Sequence, residues 1–195
     1  LVLSFWNDYY KSIFIINNIL SKSSNVDFDS KMPLQAEVRF LRALYYFDMV
    51  RAWGDIPLVL TPLSVSEALK QPRTRQTEVY EAIIDDLKFA AGNLPDKARE
   101  RFVGAANADA ANTLLGKVYL TTGNKSEAEK TLKQVYKKFS LVPYADLWDT
   151  SKKNGAESIF EIQYKGGKAN PYSSYWAMFS PLENKVLTAW GAGLN

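Results

Sequence analysis

The chain has 195 residues, 47% of them hydrophobic, with no cysteine, no histidine and a formal net charge of +3. That is enough apolar material for one cored domain, or for one and the start of another. Within this stretch the composition excludes disulfides, zinc–thiolate sites, a cysteine nucleophile and the commonest general base, and the scattered cations form no basic stripe for nucleic acid.

Helical spacing predicts a first helix over residues 5–21, with Trp6, Tyr9, Tyr10, Ile13, Ile16, Asn17 and Leu20 on one face. A second is predicted over 31–53, with Ser30 as N-cap and Leu34, Val38, Leu41, Tyr45, Met49 and Ala52 as its stripe. Gly54 can take the left-handed conformation that ends it, and Pro57 forbids its resumption. The linker over 55–76 carries Pro57, Pro62 and Pro72 and is expected to be extended and exposed. Thr77 is expected to cap a third helix that buries Tyr80, Ile83, Ile84, Leu87, Ala91 and Leu94 and stops at Leu94-Pro95.

A fourth helix, over 108–122, and a fifth, over 124–138, are separated only by Gly123 and its cap Asn124, so they are expected to form an antiparallel hairpin. Glu127 stands three residues after Asn124, the spacing of a capping box. Leu115, Gly116, Tyr119, Ala128, Leu132 and Val135 match the tetratricopeptide pattern, in which small residues sit where two helices approach and large ones fill the gaps. Leu41, Ala43 and Tyr46 repeat it loosely. The alternation Phe160, Ile162, Tyr164 against Glu161, Gln163 predicts a short half-buried strand over 158–164. Residues 165–195, rich in glycine and proline, read as loop. The expected fold is therefore mainly α: a tetratricopeptide-like solenoid of helical hairpins over 1–140, then a loop-rich segment with one short strand over 141–195. A start at Leu1 and an end at Trp190–Asn195 without a terminating element suggest a piece of a longer protein.

Several stretches, in this order, carry a family resemblance: Trp6-x-x-Tyr9-x-x-x-Ile13-x-x-x-Asn17-x-x-Leu20; the run Ala36-Glu37-Val38-Arg39-Phe40-Leu41-Arg42-Ala43-Leu44-Tyr45-Tyr46-Phe47; Trp53-Gly54-Asp55-Ile56-Pro57-Leu58-Val59; Arg75-x-x-Glu78-Val79-Tyr80; Asp86-Leu87; Leu94-Pro95; Ala110 to Leu120; and Glu157 to Tyr164. Together they resemble the SusD/RagB family of surface glycan-binding lipoproteins of Bacteroidetes. The resemblance implies a helical protein built on tetratricopeptide-like units, with an irregular C-terminal region. It implies a lipid anchor at the outer membrane and a partner, the SusC-like TonB-dependent transporter, to which oligosaccharides are delivered. It also implies binding rather than catalysis, and no cofactor. The family's sugar-contacting residues lie in variable loops, so none is carried over to a matching position.

The motif residues Arg39, Arg42, Asp48, Arg51 and Asp55 read as scaffold, with Arg51 and Asp55 spaced to pair. A sugar site needs flat apolar rings and amide or charged groups beside them. The loop Asn170-Pro171-Tyr172-Ser173-Ser174-Tyr175-Trp176 supplies that mixture, so Asn170, Tyr172, Tyr175 and Trp176 are the candidate ligand residues, with Trp190 a further ring. Trp6 and Tyr9 sit at helical spacing and are expected to pack in the core. Catalysis finds little footing. Asp85 and Asp86 point about 100° apart on a helix, Glu78, Glu81 and Asp85 share a solvated face, and no phosphate loop or HExxH motif is present. An alternative of another class is a tetratricopeptide scaffold that grips a peptide or protein in its concave face.

Overall fold

The architecture follows from longer helices that pack in chain order, with a short helix set in the connection between two of them. The computed structural model describes residues 2–164. Its helices are α1 (Val2–Ser24), α2 (Lys31–Trp53), the short α3 (Val65–Ala68), α4 (Gln76–Asn93), α5 (Ala108–Thr121) and α6 (Lys125–Leu132). α1 packs on α2, α2 on α4, α4 on α5, and α5 on α6. The chain divides into two units, Leu1–Glu161 and Ile162–Asn195, and the first carries all of these helices.

α2 lies between α1 and α4 and is buried on more than one side. Its core residues are Ala36, Val38, Phe40, Ala43, Tyr46, Phe47, Met49 and Val50, not the single stripe that the sequence suggested. Leu41 and Tyr45 are only half-buried and Ala52 is exposed. Gly54 ends the helix at φ +69°, as expected, and its N–H bonds the Val50 carbonyl. Ser30 stands at the N-terminus, but its side chain makes no cap; its backbone carbonyl takes the Leu34 N–H instead.

The stretch between α2 and α4 is largely exposed, as its prolines predict, but its first residues are packed. Ile56 is fully buried, and its backbone forms an antiparallel bridge with Thr74. Ser64 and Glu67, at capping-box spacing, close a capping box over α3. Thr77 is not a cap either. The Asp55 carboxylate accepts from the Gln76 N–H at 2.9 Å and caps α4 across the loop, so the helix already starts at Gln76. That bond also displaces the Arg51–Asp55 pair: Arg51 turns back to Asp48.

The α5–α6 hairpin bears out the repeat pattern. Thr122, Gly123 and Asn124 close α5 in a Schellman turn, with Asn124 N–H on the Tyr119 carbonyl and Gly123 N–H on that of Leu120. Gly123 has φ +82°, which glycine tolerates best. Asn124 then caps α6 by accepting from Glu127 N–H, but its own N–H is already spent on Tyr119. Leu115, Tyr119, Ala128 and Val135 are buried, and the close approach is Gly116 against Leu132. α6 ends at Leu132, short of the predicted 138; the chain turns, reaching a positive φ at Lys137, and delivers the Lys138 ammonium to the buried Asp109 at 2.6 Å.

Among the described residues no strand forms, so the strand predicted over 158–164 is corrected. Phe160 does pack inward, edge-on to Phe40 at 5.3 Å. Ile162 and Tyr164, its expected partners on that face, are exposed. Asn107, a helix-capping side chain rather than a neighbouring strand, holds the Ile159 carbonyl at 3.1 Å.

Candidate aromatic groove

Residues 57–61 form a loop with no regular structure, yet helix side chains take up much of its backbone bonding. The Tyr10 hydroxyl donates to the Pro57 carbonyl at 2.7 Å. Tyr46 donates to the Val59 carbonyl at 2.9 Å and accepts from the Val59 N–H at 2.7 Å. Asn17 Nδ2 donates to the Val59 carbonyl at 2.9 Å, and Arg42 Nη1 to the Leu60 carbonyl at 3.0 Å. Arg42 also donates to Asn17 Oδ1 and, with Arg39, to Asp86. Buried backbone groups need such partners, and here α1 and α2 supply them. Burial raises the pKa of both phenols, with Tyr46 pushed up to about 12.

This stapled loop is one wall of a groove of about 260 Å³. The other wall is α1, through Trp6, Tyr10, Ile13 and Phe14. Pro57, Val59, Thr61 and Leu63 face them, and Ala68 and Gln71 close one end. Trp6, Tyr10 and Phe14 are four residues apart, so they stand above one another at steps of about 6 Å along the helix. The Trp6 and Tyr10 ring centroids are 4.9 Å apart, and Trp6 meets Trp53 edge-on at 5.2 Å. Trp6 and Tyr10 are half-buried and Phe14 is 53% exposed, so the rings are open to a ligand. Trp6 and Tyr9 therefore pack against the core, as expected, without being sealed in it.

The scaffold carboxylates are engaged elsewhere. Asp86 is held by two arginines, Asp109 by Lys138 and Asp48 by Arg51. A wider depression of about 520 Å³ lies beside α5 and α6, lined by Leu132, Val135, Tyr136, Phe139 and Ile159 among others. It has no comparable ladder of rings. The sequence candidates Asn170, Tyr172, Tyr175, Trp176 and Trp190 lie outside the described residues. The groove is not legible in the sequence as a whole, because half of it belongs to a loop whose position depends on distant helix side chains; only the ring spacing in α1 signals it.

Helical hairpins packed in series, with rings lining a groove beside the first helix, define a tetratricopeptide-like scaffold. A SusD-like family model, described as "Starch-binding associating with outer membrane", matches residues 2–120, more than half of the chain, and the chain belongs to that family. A SusD-like protein of Formosa agariphila is 32% identical over 176 residues, covering 85% of this chain and 34% of that one. A laminarin-binding SusD-like protein of known structure is 35% identical with a TM-score of 0.75, covering 80% of this chain and 36% of the other. A SusD superfamily protein from Parabacteroides distasonis superposes with a TM-score of 0.81 at 29% identity, over 92% of this chain and 41% of its own. The chain spans about a third of the length of the curated relatives that it matches.

Proposed function

We propose that the protein is a non-catalytic oligosaccharide-binding subunit of an outer-membrane uptake complex, which passes its ligand to a SusC-like TonB-dependent transporter. The observation that carries this reading is the groove between α1 and the stapled loop, in a member of a family described as starch-binding. Trp6, Tyr10 and Phe14 offer flat faces to the C–H surfaces of pyranose rings. Thr61 and Gln71 offer a hydroxyl and an amide to the sugar hydroxyls. The wall is already fixed by Tyr10, Asn17, Arg42 and Tyr46, so little ordering is needed on binding. An open groove binds weakly, which suits a carrier that must release its cargo. The relative named for laminarin supports a glycan ligand.

On this reading, attachment to the outer membrane is through a lipid anchor on the full-length protein, at the cell surface. Residues 1–140 are the helical region and 141–195 begin a loop-rich region, where Asn170, Tyr172, Tyr175, Trp176 and Trp190 add a second platform of rings and an amide.

The test is calorimetry on the full-length protein with laminari-, malto- and xylogluco-oligosaccharides and a set of peptides. Trp6→Ala and the pair Tyr175→Ala/Trp176→Ala are run beside the wild type. Binding of one glycan class, weakened about ten-fold or more by Trp6→Ala, is the expected result. Loss confined to the Tyr175/Trp176 variant moves the site to that loop. Binding of peptides and of no glycan overturns the reading.

A further inference from the structure

Trp53, which meets Trp6 edge-on, lines a second groove. Phe5, Tyr9, Asp48 and Ala52 join it around about 380 Å³. Successive residues on a helix are turned by about 100°. Phe5 and Tyr9 therefore line this groove, while Trp6 and Tyr10 line the first. Tyr9 lies 5.5 Å from Tyr45 and 6.4 Å from Trp53, so its ring is braced by α2.

The second groove carries one carboxylate, Asp48, among its rings, paired with Arg51 behind it. Asp48 Oδ1 is 2.5 Å from Arg51 Nη2, and the two side chains are 38% and 41% exposed. Asp48 Oδ2 meets the Tyr9 hydroxyl only at 3.4 Å, near the limit of a hydrogen bond. A carboxylate has about four acceptor positions, so Asp48 retains capacity toward the groove. The chemistry selects the occupant. An apolar partner seated here would strip water from the Asp48 carboxylate and leave it short of hydrogen bonds. A charged partner gains little from a pair that is neutral overall. A polyhydroxylated neutral chain satisfies both, with ring faces on Tyr9 and Trp53 and hydroxyls on Asp48.

We infer that this second groove is a further subsite for the same oligosaccharide, so that one ligand crosses the Trp6–Trp53 contact and fills both grooves. The inference rests on the glycan-binding reading and adds a length requirement to it. Continuity is its main support: Trp53 lines the second groove and touches Trp6, which lines the first. A disaccharide occupies one groove; a hexasaccharide reaches both.

The experiment is calorimetry on the full-length protein with laminaribiose and laminarihexaose, and with maltose and maltohexaose. The quantity read is the ratio of hexaose to biose affinity. In the wild type it is expected to exceed about ten-fold for the class that binds. Asp48→Asn removes charge while keeping shape, and Ala52→Phe fills the groove from an exposed helix position. Each is expected to lower the ratio by about ten-fold. Circular dichroism and melting temperature confirm that both variants fold. A ratio unchanged in both folded variants overturns the second subsite while leaving the first groove standing. Failure of every oligosaccharide to bind the wild type overturns the glycan reading, and this subsite with it.

Discussion

Arg42 of α2 and Asp86 of α4 meet inside the helix stack, with Nε 2.7 Å from Oδ2 and Nη2 2.9 Å from Oδ1. Arg39 adds a third bond to the same carboxylate at 2.6 Å and lies over the Phe89 ring. Asp86→Ala leaves Arg42 buried without its counter-ion and is expected to cost about 3–5 kcal/mol. The double variant Arg42→Met/Asp86→Leu is expected to cost less than Asp86→Ala alone, because it leaves no uncompensated charge. Urea unfolding midpoints of the two variants decide the order. Equal midpoints for wild type and Asp86→Ala would remove the pair from the account of stability.

Tyr46 gives the protein an alkaline limit. Burial lifts its phenol from an ordinary value of 10.0 to about 12, and Tyr10 shifts the same way for the same reason. The neutral phenol is thus favoured in the folded state. Its contribution is complete below pH 10 and is lost as pH rises toward 12. Melting temperature is expected to hold through pH 9 or so and to fall above about pH 10. Tyr46→Phe leaves the Val59 N–H without its partner, costs about 1–3 kcal/mol at neutral pH and flattens part of the alkaline fall.

Gly116 sets two effects against each other. Alanine favours a helix by about 1 kcal/mol over glycine. A Cβ at this position would lie 2.5 Å from both Cγ and Cδ2 of Leu132. The contact includes a branch point as well as a chain end, so the strain of about 1–3 kcal/mol wins, and Gly116→Ala is expected to destabilise. In a Leu132→Ala background the same change is expected to stabilise. A double-mutant cycle by chemical denaturation reads the change of sign.

Asn107 joins two tasks in one fully buried side chain: Oδ1 accepts from the Ala110 N–H and caps α5, and Nδ2 donates to the Ile159 carbonyl. Asn107→Ala is expected to cost about 1 kcal/mol from the cap alone. It is also expected to speed amide hydrogen exchange around Ile159 and Phe160, which a purely local cap would leave unchanged.

Helix ends were legible where glycine, proline or asparagine sets them through local backbone preference. Gly54, Leu94-Pro95, Gly123 and Asn124 end or begin elements where their backbone preferences demand. Three readings failed for one reason: the deciding partner is far away in sequence. Asp55, not Thr77, caps α4. Asn107, not a paired strand, holds the Ile159 segment. α2 shows no single apolar stripe because α1 and α4 both cover it. The aromatic groove was half visible, since the Trp6, Tyr10 and Phe14 spacing is local while Pro57 and Val59 reach it only through Tyr10, Asn17, Arg42 and Tyr46. Asp86 stands in a family motif and beside Asp85, but its buried pairing is not legible there, because its two arginines lie on another helix.

The stapling of residues 57–61 has an evolutionary corollary. Helix side chains hold this segment by its main chain, at the Pro57, Val59 and Leu60 carbonyls. Where the segment sits is therefore separate from what it displays. Exchanging the residue at Val59 or Thr61 alters the surface offered to the groove while the fastening points stay put. One frame can thus present a different groove surface through changes at a few positions, with the helices beneath left as they are.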